Sequence, residues 1–211
     1  MDLYYSPLAC SMASRIAIYE AGATANFIEV DPKSKLTLDG TDYRTVNPLG
    51  LVPALRIDDG AILLENAAIL QFIADQNPVA ALAPRDGMAR ARLQQWLSFI
   101  GTELHKALFV PLFDKALADT TKAKILTTGG KRLDYLDRHL SECAFVLDRF
   151  SVADAYLFTV LNWNIATPVD LKSWPSIDDY FERLKSRSSV ARALKEEFAL
   201  YAEEQKRHKA A

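Results

Sequence analysis

The sequence predicts an α/β segment followed by an all-α segment. Up to residue 77, short β-prone runs alternate with helical repeats, whereas from residue 88 apolar residues recur with the 3.6-residue period of a helix. Between the two lie Pro78, Pro84 and Gly87, which interrupt both patterns. The predicted organisation is therefore a mixed domain at 1–77, a linker at 78–87 and an all-helical domain at 88–211.

Strand and helix signals in the first domain follow the order β-α-β and then β-β-α, with a variable segment between them. Runs rich in aromatic and branched residues predict the strands, and breakers such as Gly22 and Pro32 end the elements before them. Asp58-Asp59-Gly60 is a hairpin turn signal. The predicted elements are a strand at 3–5, a helix from 10 to 22, strands at 27–30, 51–57 and 61–64, and a helix that begins at 65.

Helical periodicity dominates the second domain. Its most regular apolar stripe consists of Leu93, Trp96, Leu97, Ile100 and Leu104. The segment Ser151-Val152-Ala153-Asp154 is a capping box ahead of the apolar run 155–161, which predicts that a helix begins there. At the end of the chain, Lys206-Arg207-His208-Lys209 is a basic run that we expect to be a solvated, frayed terminus.

Composition excludes several classes of protein. Lys and Arg total 25 against 27 for Asp and Glu, so the net charge of −2 favours neither a nucleic-acid backbone nor an anionic membrane. There is no run of 18 apolar residues and no secretory signal pattern, which predicts a cytoplasmic protein. The two cysteines, Cys10 and Cys143, exclude a disulfide framework and an all-cysteine metal site, and we expect no metal.

Cys10 is the first candidate for chemistry. It follows a strand and a Ser-Pro break at the start of a predicted helix, where free N–H groups and the helix dipole favour a thiolate. Ala13 stands where the partner of a redox pair would lie, so a two-cysteine disulfide cycle is unavailable. A buried, inert cysteine is an equally good interpretation of this position.

The segment Leu51-Val52-Pro53 leads into the third predicted strand. A proline at the start of a strand is usually a strand-edge device, and the sequence alone favours a trans peptide bond. A cis bond would instead turn the N–H and C=O of Val52 toward a cleft, where they pair with an extended, peptide-like ligand.

Glu65 and Asn66 stand at the predicted start of a helix. The simpler interpretation is an N-terminal capping pair. The functional alternative is a site for a substrate carboxylate and amine, because helix N-terminal amides accept the carboxylate while Glu65 pairs with the ammonium.

Ser98, Thr102 and His105 follow one another at helical spacing beside the apolar stripe, and Lys106 comes next. A lone helical histidine is more often an ordinary surface or core residue. Three polar groups that flank an apolar stripe are more typical of a cleft wall, which makes His105 a candidate for the site.

Several stretches resemble bacterial beta-class glutathione S-transferases, in the right order and over nearly the whole chain. They are YYSPLACSMASRIAIYEAG, NPLGLVPAL, LLENAAILQFIAD, LQQWLSFIGTELHK and FSVADAYLF. The resemblance implies a thioredoxin-like domain followed by an all-helical domain, a homodimer, and glutathione as co-substrate.

The resemblance also implies roles for individual residues of the first domain. Cys10 faces glutathione, and Lys35 meets its glycine carboxylate. The backbone of Val52 pairs with the cysteinyl unit, and Pro53 is a cis proline. Glu65 lies at the γ-glutamyl end of the tripeptide.

In the helical domain, the resemblance implies that His105 and Lys106 close over the site and that Trp163 lines the pocket of the hydrophobic co-substrate. Three positions depart from the family. Asn66 replaces a serine, and we expect its N–H to keep binding a carboxylate. Ser98 replaces an asparagine that makes a contact across the dimer, and Leu8 replaces a glycine at the mouth of the site.

The predicted function is conjugation of the glutathione thiolate to small hydrophobic electrophiles by a cytoplasmic homodimer. Cys10 and His105 are the predicted catalytic residues. One alternative is a glutathione-dependent disulfide reductase in which Cys10 cycles through a mixed disulfide. Another is a protein that binds hydrophobic ligands with little turnover.

Overall fold

The computed structural model describes residues 1–210, and its first part forms a four-stranded sheet with two helices. The elements are β1 (Asp2–Tyr5), α1 (Met12–Glu20), β2 (Asn26–Glu29), β3 (Ala54–Arg56), β4 (Ile62–Leu64) and α2 (Asn66–Gln76). The strand order is β2-β1-β3-β4, in which β1 pairs with β2 in parallel and the other pairs are antiparallel. The predicted order of strands and helices is confirmed.

The β3–β4 hairpin turns where the sequence predicts it. The Gly60 N–H donates to the Ile57 carbonyl at 2.9 Å, and the Ile57 N–H donates to that of Ala61 at 3.0 Å. The third strand is shorter than the predicted 51–57 and begins only at Ala54. The segment before it forms no ladder, and the Val52–Pro53 peptide bond there is cis, not the trans form that the isolated sequence favours.

The second part is helical throughout. It comprises α3 (Gly87–Phe99), a π-helix (Ile100–Phe109), α4 (Val110–Leu112), α5 (Asp119–Leu140), α6 (Val152–Leu161), α7 (Pro175–Lys185) and α8 (Ser188–Ala210). Short 3₁₀ helices occur in both parts of the chain. In the first part they are Tyr43–Thr45 and Pro78–Ala80, and in the second part Asn162–Ala166 and Leu171–Ser173. The capping box is confirmed, because the Ser151 side chain accepts the Ala153 N–H while Asp154 accepts the Ser151 N–H at 2.8 Å.

The predicted apolar stripe is buried along its whole length. The π-helix changes which residues belong to this buried stripe. Its i→i+5 hydrogen bonds, such as that from the Val110 N–H to the His105 carbonyl, widen the turn, so residues four and five apart share a face. His105 therefore lies among the buried residues, whereas its spacing in a regular helix predicted a place beside them. Pro111 disfavours regular helix here, because its ring would clash with the carbonyl four residues earlier.

The chain divides into two compact units. The first contains Met1–Leu82 together with the last stretch from Arg187 onward, and the second contains Ala83–Ser186. The predicted helical domain extended to residue 211, but α8 groups with the first unit because it packs on α1. An ion pair of Arg15 with Glu197, 2.8 Å, joins the two helices, and Arg187, just before α8, pairs with Glu20 of α1.

The end of α8 corrects a second expectation. The basic run 206–209 is helical and not a frayed tail. Arg207 pairs with Glu29, and His208 pairs with Asp31. No helix among the described residues has the length and apolar character needed to cross a membrane.

Candidate functional site

The Cys10 thiol lies in the turn before α1 and beside the cis peptide bond. Its Sγ donates to the Val52 carbonyl oxygen at 3.3 Å, and the side chain is partly exposed. The Cys10 carbonyl accepts the Ala13 N–H at 3.2 Å and the Asn66 side-chain amide at 3.1 Å. The turn is therefore held by both α1 and α2, and Cys10 is partly exposed rather than buried.

The backbone at Val52 offers an open edge. Its carbonyl accepts the Cys10 thiol, and its N–H has no acceptor in the part of the chain that the structure describes. The preceding carbonyl, of Leu51, accepts both the Tyr43 hydroxyl at 2.8 Å and the Asn47 side-chain amide at 2.7 Å. Burial raises the pKa of Tyr43 above its usual value, so its hydroxyl remains a donor. This fixed, extended backbone suits an added strand.

Glu65 stands at the start of α2 with φ of +66°, and its exposed carboxylate makes no hydrogen bond or ion pair with any residue that the structure describes. Its carbonyl accepts the N–H groups of Ala68 and Ile69, both at 3.0 Å. The N–H groups of Asn66 and Ala67 come before these first helical donors, so they remain available at the helix N-terminus. Such N–H groups bind a carboxylate, and Glu65 beside them suits an ammonium group.

The Asn66 side chain has a different role from the two that the sequence suggested. It is buried, accepts the Ser14 hydroxyl at 2.9 Å and donates to the Cys10 carbonyl. It therefore joins the starts of α1 and α2 and forms no cap hydrogen bond. A ligand at this position would therefore contact the backbone N–H of Asn66 and not its side chain.

Lys35 is part of the loop between β2 and β3. Its backbone is left-handed, with φ of +63°, and its carbonyl accepts the Tyr43 N–H at 2.9 Å. The aliphatic part of its side chain packs on Gly50, where a Cβ atom would lie 3.3 Å from the lysine Cδ. Gly50, which the sequence analysis did not single out, therefore provides the space in which the lysine lies.

The sequence did not predict the buried ion pair of Arg15 and Glu197, which lies next to the Cys10 turn. Glu197 of α8 is fully buried, accepts the Leu8 N–H at 2.6 Å and pairs with Arg15 of α1. Burial raises the pKa of Glu197 to about 7. One sequence signal was available, because Val190, Ala193 and Glu197 are spaced along one helix face, and a carboxylate on an apolar face needs a partner.

In the second unit, His105 is buried in the π-helix with its Nδ1 2.7 Å from the Tyr156 hydroxyl. Burial and, secondly, the charge of Lys106 lower the pKa of His105 to about 4. The imidazole is therefore neutral at pH 7 and carries one proton. Lys106 itself is exposed.

Trp163 lies in the 3₁₀ turn Asn162–Ala166, with its ring centroid 4.9 Å from that of His105 and 5.5 Å from that of Phe113. These rings form an aromatic cluster. The predicted polar seam does not form, because Ser98 and Thr102 are exposed whereas His105 is not. The Thr102 hydroxyl donates to the Ser98 carbonyl at 3.0 Å.

The predicted site residues thus fall into two groups. The first unit carries Cys10, Lys35, Val52, Pro53, Glu65 and Asn66, of which Cys10 contacts Val52 and Asn66 directly. The second unit carries Ser98, His105, Lys106 and Trp163. Within residues 1–210, no group of three or more His, Cys, Asp or Glu side chains is arranged to hold a metal ion.

Two protein-family models match the chain. The model described as "Glutathione S-transferase, N-terminal domain" matches residues 9–76, and "Glutathione S-transferase, C-terminal domain" matches residues 102–188. Among characterised relatives, glutathione S-transferase GstA of Escherichia coli O157:H7 is 40% identical over 199 residues. The match covers 93% of this chain and 98% of that protein.

Solved structures resemble the chain over both units. A ternary complex of BphK, a bacterial GST, has a TM-score of 0.90 at 45% identity, covering 93% of this chain and 99% of that one. A sphingomonad glutathione S-transferase complexed with glutathione has a TM-score of 0.89 at 44% identity, covering 93% and 98%. A beta-class glutathione S-transferase of Sphingomonas chungbukensis has a TM-score of 0.88 at 46% identity, with the same coverage.

Proposed function

Because this chain belongs to the glutathione S-transferase family, we propose that it transfers glutathione to small hydrophobic electrophiles through the residues described above. The observation that carries the proposal is the open backbone edge at Val52 beside the Cys10 thiol. Glutathione is a peptide with a central thiol, so a strand-like edge next to a thiol-binding turn matches both of its features.

Three points of the first unit match three parts of glutathione. The N–H and C=O of Val52 pair with the cysteinyl unit. The N–H groups at the start of α2 take the γ-glutamyl carboxylate, and Glu65 takes the adjacent ammonium. Lys35 meets the glycine carboxylate. Asn66 contributes its backbone N–H, and its side chain keeps α2 against the Cys10 turn.

Binding in this mode changes the partner of Cys10. The Val52 carbonyl accepts the Cys10 thiol in the ligand-free protein, and a glutathione N–H competes for the same oxygen. When the glutathione N–H takes this oxygen, the Cys10 S–H can donate to the glutathione sulfur. A donor at that sulfur and the N-terminus of α1 both stabilise the glutathione thiolate.

The reaction forms one carbon–sulfur bond. The glutathione thiol loses its proton to bulk water, the thiolate attacks the electrophilic carbon, and the leaving group departs with the electron pair of its bond. Bringing the two reactants together lowers the entropic part of the barrier. Cys10 does not attack the electrophile in this scheme. We propose that neutral His105, which carries a single exchangeable proton, donates a hydrogen bond that orders a water for the reaction.

The second unit supplies the remaining groups. The aromatic cluster around Trp163 suits a hydrophobic co-substrate, and Lys106 and Ser98 contribute to glutathione binding.

We assign a homodimer in which α3 forms part of the interface. Met88, at the start of α3, is 72% exposed, which supports this assignment. Sedimentation should give a dimer at micromolar concentration, and a monomer would contradict it.

Conjugation of glutathione to an activated aryl halide tests the transferase directly, with thiol–disulfide exchange measured in parallel. We expect conjugation in the wild-type protein and in Cys143→Ala, because the exposed Cys143 belongs to the second unit. A protein that exchanges disulfides but conjugates nothing would instead be a reductase. A protein that binds glutathione and does neither would be a binding protein.

The reductase alternative is supported by one observation. Cys10 is partly exposed, and Ala13 leaves it without a resolving thiol, so a mixed disulfide with glutathione has no internal route to reduction. Mass spectrometry of the purified protein shows whether that adduct is present.

A further inference from the structure

Asp31 organises the turn that carries Lys35. Its Oδ1 accepts the N–H groups of Lys33 at 2.9 Å and Ser34 at 2.7 Å, and its backbone carbonyl accepts the Lys35 N–H at 3.0 Å. Lys35 then adopts a left-handed conformation, which a lysine keeps only where its surroundings hold it. The placement of Lys35 therefore depends on the Asp31 carboxylate.

The second oxygen of that carboxylate faces α8. Asp31 Oδ2 is hydrogen-bonded to His208 Nε2, and both side chains are largely buried, at 19% and 14% exposed. Next to this contact, Arg207 pairs with Glu29, whose side chain is 2% exposed. An ion pair and a hydrogen bond thus join the end of α8 to β2 and to the loop that follows it.

A third carboxylate lies close to these two contacts. Glu204 of α8 is buried, and its Oε1 has no hydrogen-bond partner within the described residues. Burial raises the pKa of Glu204, as do the nearby charges of Glu29 and Asp31, while His208 opposes them. Without His208, Asp31 Oδ2 would lose its hydrogen bond and remain near the carboxylates of Glu29 and Glu204, which favours movement of the loop away from α8.

From these contacts we propose that His208 is a positioning residue for glutathione: through Asp31, it holds Lys35 where the lysine ammonium meets the glycine carboxylate. This inference rests on the proposed function of Lys35. The lysine is then fixed at both ends, by Asp31 at its backbone and by Gly50 along its side chain. A shift of Asp31 tilts the side chain against Gly50 and misplaces the ammonium.

The test is steady-state conjugation by the full-length protein with His208→Ala, beside the control Lys209→Ala. Lys209 is exposed and adjacent in sequence. We expect His208→Ala to raise the KM for glutathione roughly three- to tenfold, which lies within the range of couplings between contacting groups, with kcat unchanged. His208→Gln, whose amide still donates to Asp31, should restore most of the affinity. An unchanged KM, or a fall in kcat alone, would overturn the proposal.

A modified substrate separates positioning of Lys35 from general loosening of the fold. In the glycine monoethyl ester of glutathione, the carboxylate that Lys35 meets is blocked. The KM for the ester should be nearly the same in wild type and His208→Ala. An equal loss with both substrates would show that His208 acts on the fold as a whole, and the proposal would fail.

Lys35→Ala distinguishes failure of this inference from failure of the proposed site. If Lys35→Ala weakens glutathione and the ester equally, the assignment of Lys35 is wrong. If Lys35→Ala discriminates between the two but His208→Ala does not, only the inference about His208 is wrong. If both are right, the double variant should bind glutathione no more weakly than Lys35→Ala alone.

Discussion

In the ligand-free protein, the Cys10 Sγ donates a hydrogen bond to the Val52 carbonyl oxygen, 3.3 Å away. Both groups are proposed to bind glutathione, the carbonyl through an amide N–H and the thiol through sulfur. When a glutathione N–H replaces the thiol at this carbonyl, the Cys10 S–H can donate to the glutathione sulfur instead. Pairing the two groups keeps each satisfied until the ligand arrives.

Cys10→Ala should separate two chemistries. The glutathione adduct and thiol exchange should disappear, because no other thiol lies in the first unit. Conjugation should fall only partly, by roughly three- to tenfold, the worth of about one hydrogen bond to the attacking sulfur. Cys143→Ala is the matched control and should retain both activities. Complete loss of conjugation in Cys10→Ala would make the cysteine essential to both.

Glu65→Ala should weaken glutathione binding by about 2 kcal/mol, because it removes the partner of the γ-glutamyl ammonium. Lys35→Ala should cost less, since a lysine on an exposed loop is better solvated. Isothermal calorimetry measures both. Equal or reversed losses would mean that the two ends of the tripeptide have been assigned the wrong way round.

Gly50→Ala should reduce affinity for glutathione through Lys35. Its added Cβ would lie 3.3 Å from the lysine Cδ, and φ at this glycine is +62°. Gly22→Ala is the control, because Gly22 has φ of +64° and nothing within 4 Å of an added Cβ. Both variants should lose about 1 kcal/mol of stability from backbone strain in urea unfolding. Only Gly50→Ala should raise the KM for glutathione.

His105 should make the protein more stable as the pH rises from about 4 to 6.5. Its pKa falls from 6.5 when exposed to about 4 in the fold, so the unfolded chain binds the extra proton across this window. The full effect is about 3 kcal/mol, lost progressively on acidification through the window. Urea unfolding at a series of pH values should show a flatter profile for His105→Gln. An unchanged slope would contradict the burial of a neutral imidazole.

Glu197 should act in the opposite sense. Its pKa is raised from 4.5 to about 7, so the folded protein binds the extra proton and stability falls as the pH rises through that range. Arg15 and Glu196 are the charged groups nearest to it. Glu197→Gln should remove this decline and make the net pH dependence between 4.5 and 6.5 steeper than in wild type. A shallower profile would show that Glu197 is ionised throughout.

The sequence was informative wherever a residue acts through its neighbours in the chain. The Asp58-Asp59-Gly60 turn, the capping box at Ser151 and the apolar stripe of α3 depend on local spacing, and each is confirmed. The same holds for the position of Cys10 just before α1. Such features need no knowledge of distant partners.

Features that depend on distant partners were missed. The basic run at 206–209 is typical of a solvated terminus until Glu29 and Asp31 are known to face it. His105 was placed beside the stripe because regular helical spacing puts it there, and the π-helix moved it inward. The role of Gly50 can be predicted only when the position of Lys35 is known, and the sequence of this loop does not determine that position.

The joining of Leu8 to Glu197 across 189 residues has a consequence for synthesis on the ribosome. The unit from Ala83 to Ser186 is continuous in the chain, whereas the unit that carries Cys10 and Lys35 combines segments from before and after it. During synthesis the strands of the first unit therefore precede α8, which brings Glu197 and His208, by the whole length of the second unit. A nascent chain makes its proposed glutathione-binding groups early, and the helix that orders them follows only after the second unit.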